Sequence, residues 1–347
     1  MKPSSIVVGG LIFLTTLISP IQTLPTFDIR EMRSVKQLSK CWAHNLQKYN
    51  ISLKEKVEWR PIWEDVSIWC FNRKSDKFRL TLNDYGDFGE VLQRNRSTVL
   101  FVHGWLQNKL QFAEGAKRLA LAVTSRNYCV VDFESLATVE LRLFINQVSL
   151  RIATFLAGFV QSLGAIDIPP EQVTLVGEGV TAHLVGQTGQ LLAGQLGSII
   201  GLDPLGPFYT VGPAMQSPRG TLDPTDARFV QVWYSSIGQL GSPMPLGHQN
   251  IYLNGGLHPQ PACSCFSKAF GTTNLLTQLC SHYFVVEVFK ATLDPSIDLL
   301  ATKCHSYKHF LAGRCRIRPS TTRRVISNDG TEPGNFYLQT SLKPPYL

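Results

Sequence analysis

The stretch that decides the fold reads EQVTLVGEGVTAHLVG, residues 171–186. Val173, Thr174, Leu175 and Val176 are an uncharged run of β-formers, and a glycine-flanked turn, Gly177-Glu178-Gly179, follows it. From Val180 to Gly186 the sequence suits a helix. A strand that turns sharply into a helix lifts the residue at the turn clear of its neighbours, which is where a hydrolase can hold an attacking side chain. Here that residue is Gly179, which has none.

Outward from this turn, further strand-like and helix-like segments alternate. STVLFVHGW (97–105), YCVVDFES (128–135), LGSIIGLDP (196–204) and ARFVQVWYSS (227–236) read as buried strands. LQFAEGAKRLALAV (110–123) reads as a helix. Leu141, Phe144, Val148, Ile152, Phe155, Phe159 and Leu163 recur at three- and four-residue steps, which predicts a long helix between the second and third strands. Near-continuous apolar strands alternating with helices predict a mostly parallel sheet covered on both faces. In such sheets working residues gather at the carboxyl ends of the strands. Three segments fall there: His103-Gly104-Trp105, Gly177–Thr181 and Asp203.

The order along the chain narrows the fold further. An α/β-hydrolase carries its nucleophile in a G-x-S-x-G elbow, then an acid, then a histidine. Gly179 stands at the elbow, Asp203 follows in GLDPLGP, and His282 comes later in CSHYF. Singly, Asp203 could be a turn cap and His282 an ordinary loop histidine; the order and placement favour an acid and a base. His103 and His183 read as packing residues.

From about residue 60 onward the chain resembles the pancreatic-lipase family, particularly its insect phospholipase A1-like members and yolk proteins. The resemblance rests on FVHGW, GLDPLGP, LDPTDARFVQVWYSS, GHQNIYLNGGLHPQPAC, CSH and GNFYLQTSLKPPYL, in that order. It implies an α/β-hydrolase domain over 61–347, with Asp203 as acid, His282 as base, and the N–H groups of Trp105 and Val180 as the oxyanion hole. It also implies that Cys263 and Cys280 bracket a short lid, and that Cys304 and Cys315 pair. Phe266, Phe270, Leu275, Leu276 and Leu279 are either the apolar lining of that lid or ordinary loop packing. The departure is at the centre. The family pattern G-H-S-x-G-A-H is replaced by Gly177-Glu178-Gly179-Val180-Thr181-Ala182-His183.

Loss of the nucleophile costs a serine hydrolase about 10⁶-fold. The sequence therefore predicts a pseudoenzyme, a lipase-like protein that is not an enzyme and binds a lipid or a protein partner. The alternatives are an ester hydrolase with an unusual nucleophile, Glu178 or Thr181 being the nearby candidates, and a storage protein like the yolk proteins. No cofactor and no metal are expected. The lone Cys263-Ser264-Cys265 is weak evidence for zinc, because no second pair stands at finger spacing.

Length and composition set the frame. The chain has 347 residues, of which 44% are hydrophobic, enough to bury a large core. Lys2 precedes an apolar run, Ile6–Ile18, that is too short to span a bilayer comfortably. It reads as a signal peptide over 1–23, the rival being a signal anchor. Residues 24–60 read as an extension. No later segment offers a long uncharged apolar run, so a secreted protein without a transmembrane anchor is expected.

Eight cysteines in an oxidising compartment allow four disulfides. The pairing of Cys41, Cys70, Cys129 and Cys265 is open, with Cys41–Cys70 a guess. Asn50 and Asn95 open glycosylation sequons. The net charge is +8, and basic residues concentrate in RCRIRPSTTRR, 314–324. That density suits an anionic surface or glycan, or is simply a solvated face. Nucleic acid is not an expected partner.

Overall fold

The computed structural model describes residues 53–71, 78–80, 88–123, 125–210, 220–294, 296–297, 299–315, 321–322 and 332–347. The leader, the extension up to residue 52, Cys41 and Asn50 lie outside the described residues, as does most of the basic cluster. The described residues belong to the unit Ile51–Leu347. Its strands are β1 (Ser67–Phe71), β2 (Phe78–Leu80), β3 (Ser97–Val102), β4 (Arg126–Asp132), β5 (Val173–Glu178), β6 (Ser198–Leu202), β7 (Phe229–Tyr234), β8 (Gln249–Leu253), β9 (Leu299–Leu300), β10 (Thr302–Lys303), β11 (Thr321–Thr322) and β12 (Gly334–Leu338). The main helices are α1 (Leu110–Ala122), α2 (Ser149–Ser162), α3 (Val180–Leu191), α4 (Ser264–Phe270), α5 (Leu275–Thr292) and α6 (Tyr307–Leu311).

Ten strands make one sheet in the order β10-β12-β8-β7-β6-β5-β3-β4-β1-β2, and β9 pairs with β11 in a second, two-stranded sheet. From β12 to β4 every neighbouring pair is parallel. The edges turn antiparallel, with β1 and β2 at one side and β10 at the other. The sheet is thus mostly parallel, as the alternation of strands and helices predicts.

All six residues of β5 are buried, so both faces of the sheet are covered at that strand. Alternation along β3 shows what covers each face. Leu100 and Val102 join the core cluster that contains the buried faces of α2 and α3. Phe101, between them, stacks on Phe112 of α1 at 5.5 Å between ring centroids. Phe289 of α5 meets both Phe112 and Trp233 of β7 edge-on. Helices α1 and α5 therefore lie on one face, and α2 and α3 on the other.

Two findings bear on the sequence reading. The helical stretch Leu141–Ile166 is long and apolar enough to cross a membrane by length and composition, although Arg142 and Arg151 interrupt it as the sequence reading of no long uncharged run requires; 56% of its most apolar window is buried inside the protein. It begins with the α-helical turn Leu141–Leu143, passes through a π-helical turn, Phe144–Val148, and continues into α2, and Phe144, Val148, Ile152, Phe155 and Phe159 face the core. The guess Cys41–Cys70 is also corrected. Antiparallel pairing sets Cys70 of β1 opposite Cys129 of β4, and these two are bonded. Cys263 bonds Cys280 and Cys304 bonds Cys315. Cys265 is also disulfide-bonded, so the Cys263-Ser264-Cys265 segment has no thiolate to offer a metal.

The expected extension runs into the domain at its end. Lys54 exchanges backbone hydrogen bonds with Thr138 and Glu140.

Candidate active site

The turn between β5 and α3 keeps the elbow shape although its apex lacks a side chain. Gly179 has φ 59° and ψ −118°, a region glycine enters without a Cβ penalty. Its N–H donates to Leu202 O (2.9 Å) and its carbonyl accepts from Leu205 N–H (3.1 Å), which ties the elbow to the end of β6. Gly177 must be glycine, because a Cβ there would collide with the carbonyl of Thr181. Thr181 is fully buried, and its hydroxyl is spent on the turn: it donates to Glu178 O and accepts from Glu178 N–H, both at 2.9 Å.

Asp203 closes β6 at φ 41° and is fully buried. Its Oδ1 accepts the N–H groups of Ser235 (2.8 Å) and Ser236 (3.1 Å). Its Oδ2 accepts the Ser236 hydroxyl and, at 2.6 Å, His282 Nδ1. A carboxylate with this many donors is held in one orientation. Gly241 makes the approach possible, since a Cβ there would stand 2.6 Å from Oδ1.

His282 arrives on α5, not on a loop or turn, two residues after the bonded Cys280. Its ring is 5% exposed. On its other side Nε2 lies 3.3 Å from Glu178 Oε1. Burial opposes a charged imidazole, but the hydrogen bonds and charges of Asp203 and Glu178 outweigh it and push the pKa up to about 10. At neutral pH the ring is an imidazolium between two carboxylates. A Cβ built at Gly179 would stand 2.9 Å from Nε2.

Glu178, a candidate nucleophile in the sequence reading, lies instead against the His282 ring, a contact the sequence did not reveal. It is 2% exposed, and its Oε2 accepts Gln111 Nε2 at 3.4 Å. A Cβ at Gly104 would overlap that oxygen, so the glycine after His103 is what admits the carboxylate. The Gly104 N–H itself is held by Gln111 Oε1 at 2.9 Å. The sequence-level signal for that contact was the substitution of an acid for the histidine of the family pattern.

The other singled-out residues are placed as follows. Trp105 follows β3 and is anchored through its indole N–H to Val139 O (2.8 Å); Val180 opens α3. Both are thus at the carboxyl edge beside the elbow. His103 is fully buried, stacks on Phe133, bonds Gly104 O through Nδ1 and accepts Phe133 N–H at Nε2. His183 stacks on Tyr209, bonds Leu205 O through Nε2 and accepts Leu222 N–H at Nδ1. Burial holds His183 at a pKa of about 4 despite the Leu205 bond, so it is neutral.

The segment between Cys263 and Cys280 forms α4 and the first turn of α5. Phe266 is buried and Leu275, Leu276 and Leu279 are half-buried; the side chain of Phe270 is outside the described residues. Asn95 is exposed in a turn at φ 52°.

Such an elbow with a buried Asp–His pair at the carboxyl edge of a mostly parallel sheet defines a lipase-type α/β-hydrolase. The Lipase family profile matches residues 39–346, and the chain belongs to that family. Human phospholipase A1 member A is 34% identical over 220 residues, 63% of this chain and 46% of its own length. Rabbit lipase member H is 30% identical over 260 residues, 72% of this chain and 54% of its own. The chain thus spans about half the length of the curated relatives it matches. Among solved structures, esterase PE8 is 17% identical over 40% of this chain and 67% of its own, with a TM-score of 0.31. That overlap is too low to support the fold, which rests on the topology above.

These relatives correct one expectation. The sequence reading took the chain not to be an enzyme; it stands among proteins named as phospholipases and lipases, and nothing in its structure shows loss of activity. The reading weighed one missing hydroxyl. It did not weigh the carboxylate that Glu178 brings to His282 Nε2.

Proposed function

We propose that the chain hydrolyses carboxylic esters of lipids, using water rather than a serine as nucleophile. One observation carries the reading: His282 lies between Asp203 at 2.6 Å and Glu178 at 3.3 Å, beside the elbow. With its pKa near 10, His282 is a proton donor at neutral pH and cannot open the reaction as a base. Glu178 takes that part. Its carboxylate removes a proton from water, and the water oxygen bonds to the ester carbonyl carbon. The N–H groups of Trp105 and Val180 receive the oxyanion. As the C–O bond breaks, His282 Nε2–H protonates the leaving alkoxide. The proton on Glu178 then passes to Nε2 across the 3.3 Å contact, which resets the site.

Without a covalent step, binding and the oxyanion hole supply roughly 10³–10⁴ over water, the level left when a triad is broken, and general acid–base help from His282 and Glu178 adds to it. Three features support the wider setting. A lid between the bonded Cys263 and Cys280, as the family resemblance implies, would offer acyl chains an apolar border through the half-buried Leu275, Leu276 and Leu279. The disulfides suit an extracellular protein, and the Ile6–Ile18 run suits its export. Asn95, exposed in its turn, is accessible for glycosylation.

The test is turnover of p-nitrophenyl esters and of a phosphatidylcholine by the purified chain from pH 5 to 11. Activity that His282→Ala and Glu178→Gln both abolish, and that falls as pH rises through about 10, supports the proposal. Ester binding with no turnover at any pH, or turnover indifferent to both substitutions, overturns it.

A further inference from the structure

The basic run that begins at Arg314 has no part in the chemistry above, yet its first residues line a cavity. That cavity has a volume of about 420 Å³ and is bounded by Lys303, Cys304, His305, His309, Arg314, Cys315 and Asn335. The bonded Cys304 and Cys315 close the loop that carries the two histidines and the arginine. Within it Ser306 caps α6 by accepting His309 N–H, and Gly313 turns back at φ 64° so that Arg314 N–H donates to His309 O at 3.0 Å. Lys303 enters from β10 and Asn335 from β12, whose carbonyl accepts Cys304 N–H at 3.0 Å. Cross-link, cap and ladder thus bring four basic side chains to one concavity.

Among the described residues their hydrogen-bonding capacity is only partly consumed. Lys303 pairs with Glu332 at 2.8 Å, with both side chains about half exposed. Among the described residues, Arg314 makes no ion pair and the His305 ring no hydrogen bond. His309 uses Nδ1 on Ser306, and among the described residues its Nε2 makes no hydrogen bond. Even with both imidazoles neutral, Lys303 and Arg314 against Glu332 leave an excess of one positive charge. Guanidinium and ammonium donors converging on a fixed pocket suit an anion with several acceptor oxygens more than a diffuse polyanion on a flat stripe.

We infer that this pocket binds a single tetrahedral oxyanion of the phosphate class, as a free ion or as the phosphate of a lipid headgroup.

The test uses the intact chain and inorganic phosphate at constant ionic strength, read by titration calorimetry. One saturable site per chain is expected. Arg314→Ala and His305→Gln are expected to weaken it about tenfold or more, while Lys308→Ala, a cation on α6 that does not line the cavity, leaves it unchanged. Near-UV circular dichroism checks that each variant is folded. Ester turnover is expected to be the same in Arg314→Ala as in the parent chain, so failure here is distinguishable from failure of the hydrolase proposal. Flotation with vesicles of phosphatidylcholine, with and without phosphatidic acid, identifies the source. Capture by phosphatidic acid that needs Arg314 assigns a headgroup phosphate, and calorimetric binding without capture assigns the free ion. No saturable binding in either arm, or equal weakening by Lys308→Ala, overturns the inference.

Discussion

Two neighbouring strands end side by side in the site and have met different fates. At the end of β6, Asp203 keeps both its backbone pose and its chemistry: it accepts from two serine amides, a serine hydroxyl and His282. At the end of β5 the backbone pose persists and the chemistry has changed. Gly179 holds the elbow at φ 59° with hydrogen bonds to Leu202 and Leu205, while the side chain that reaches His282 comes from Glu178, one residue earlier. The shape of an elbow is therefore fixed by sheet register and close backbone approach. The reaction it supports depends on one or two side chains that the register does not control.

The largest expected effect restores the family pattern at β5. Glu178→His with Gly179→Ser should raise ester turnover by at least about 10²-fold, since the nucleophile of a triad is worth about 10⁶. A fluorophosphonate should then label Ser at 179. A silent double variant would show that the elbow no longer aims its apex at His282, and the two strand ends would differ in backbone as well. In Gly179→Ser alone the gain should be smaller, because Glu178 still contacts Nε2.

Next in size, His282→Ala should cost about 10²–10⁴ in turnover and about 3–5 kcal/mol in stability by urea unfolding, because it strands the buried carboxylates of Asp203 and Glu178. Equal stability in parent and variant would mean that the Asp203 end does not depend on its partner.

Glu178→Gln should lower turnover by about 10²-fold, the usual scale for a general base. It also removes one of the two carboxylates that raise His282, so the imidazole titration followed by proton NMR should move down from about 10. An unmoved titration would assign the whole shift to Asp203.

The smallest effect is on stability against pH. The folded pKa of His282 lies above its usual 6.5, so its stabilising contribution is complete below about pH 6.5 and lost as pH rises through about 10. The difference in urea midpoint between the parent chain and His282→Gln should therefore shrink between pH 6.5 and 10.5. A constant difference would mean that the ring is uncharged throughout.

Much of this architecture was legible in the residues. Val173–Val176 and Leu100–Val102 have no reading but buried strand, and the long helix through Phe144 and Phe159 follows from spacing. Strand β8 was not read as one because Gln249 and Asn250 lie within it; both are buried and satisfied, Gln249 by Gln231 and Asn250 by Tyr234. A polar pair buried by a cross-strand partner has the composition of a loop. Thr181, which stands where the family pattern has its second glycine, binds the turn through its hydroxyl.

The sequence by itself determined the mostly parallel sheet, the glycine elbow after β5, and the order in which Gly179, Asp203 and His282 occur, because each is written in local alternation, local turn chemistry or chain order. Only the tertiary structure decided that Cys70 meets Cys129, that the acid of Glu178 points at the His282 ring, and that the ring is charged. These are consequences of strands and helices distant in the chain packing within a few ångströms. Burial and neighbouring charge, which set the protonation of a side chain, exist only once that packing has formed.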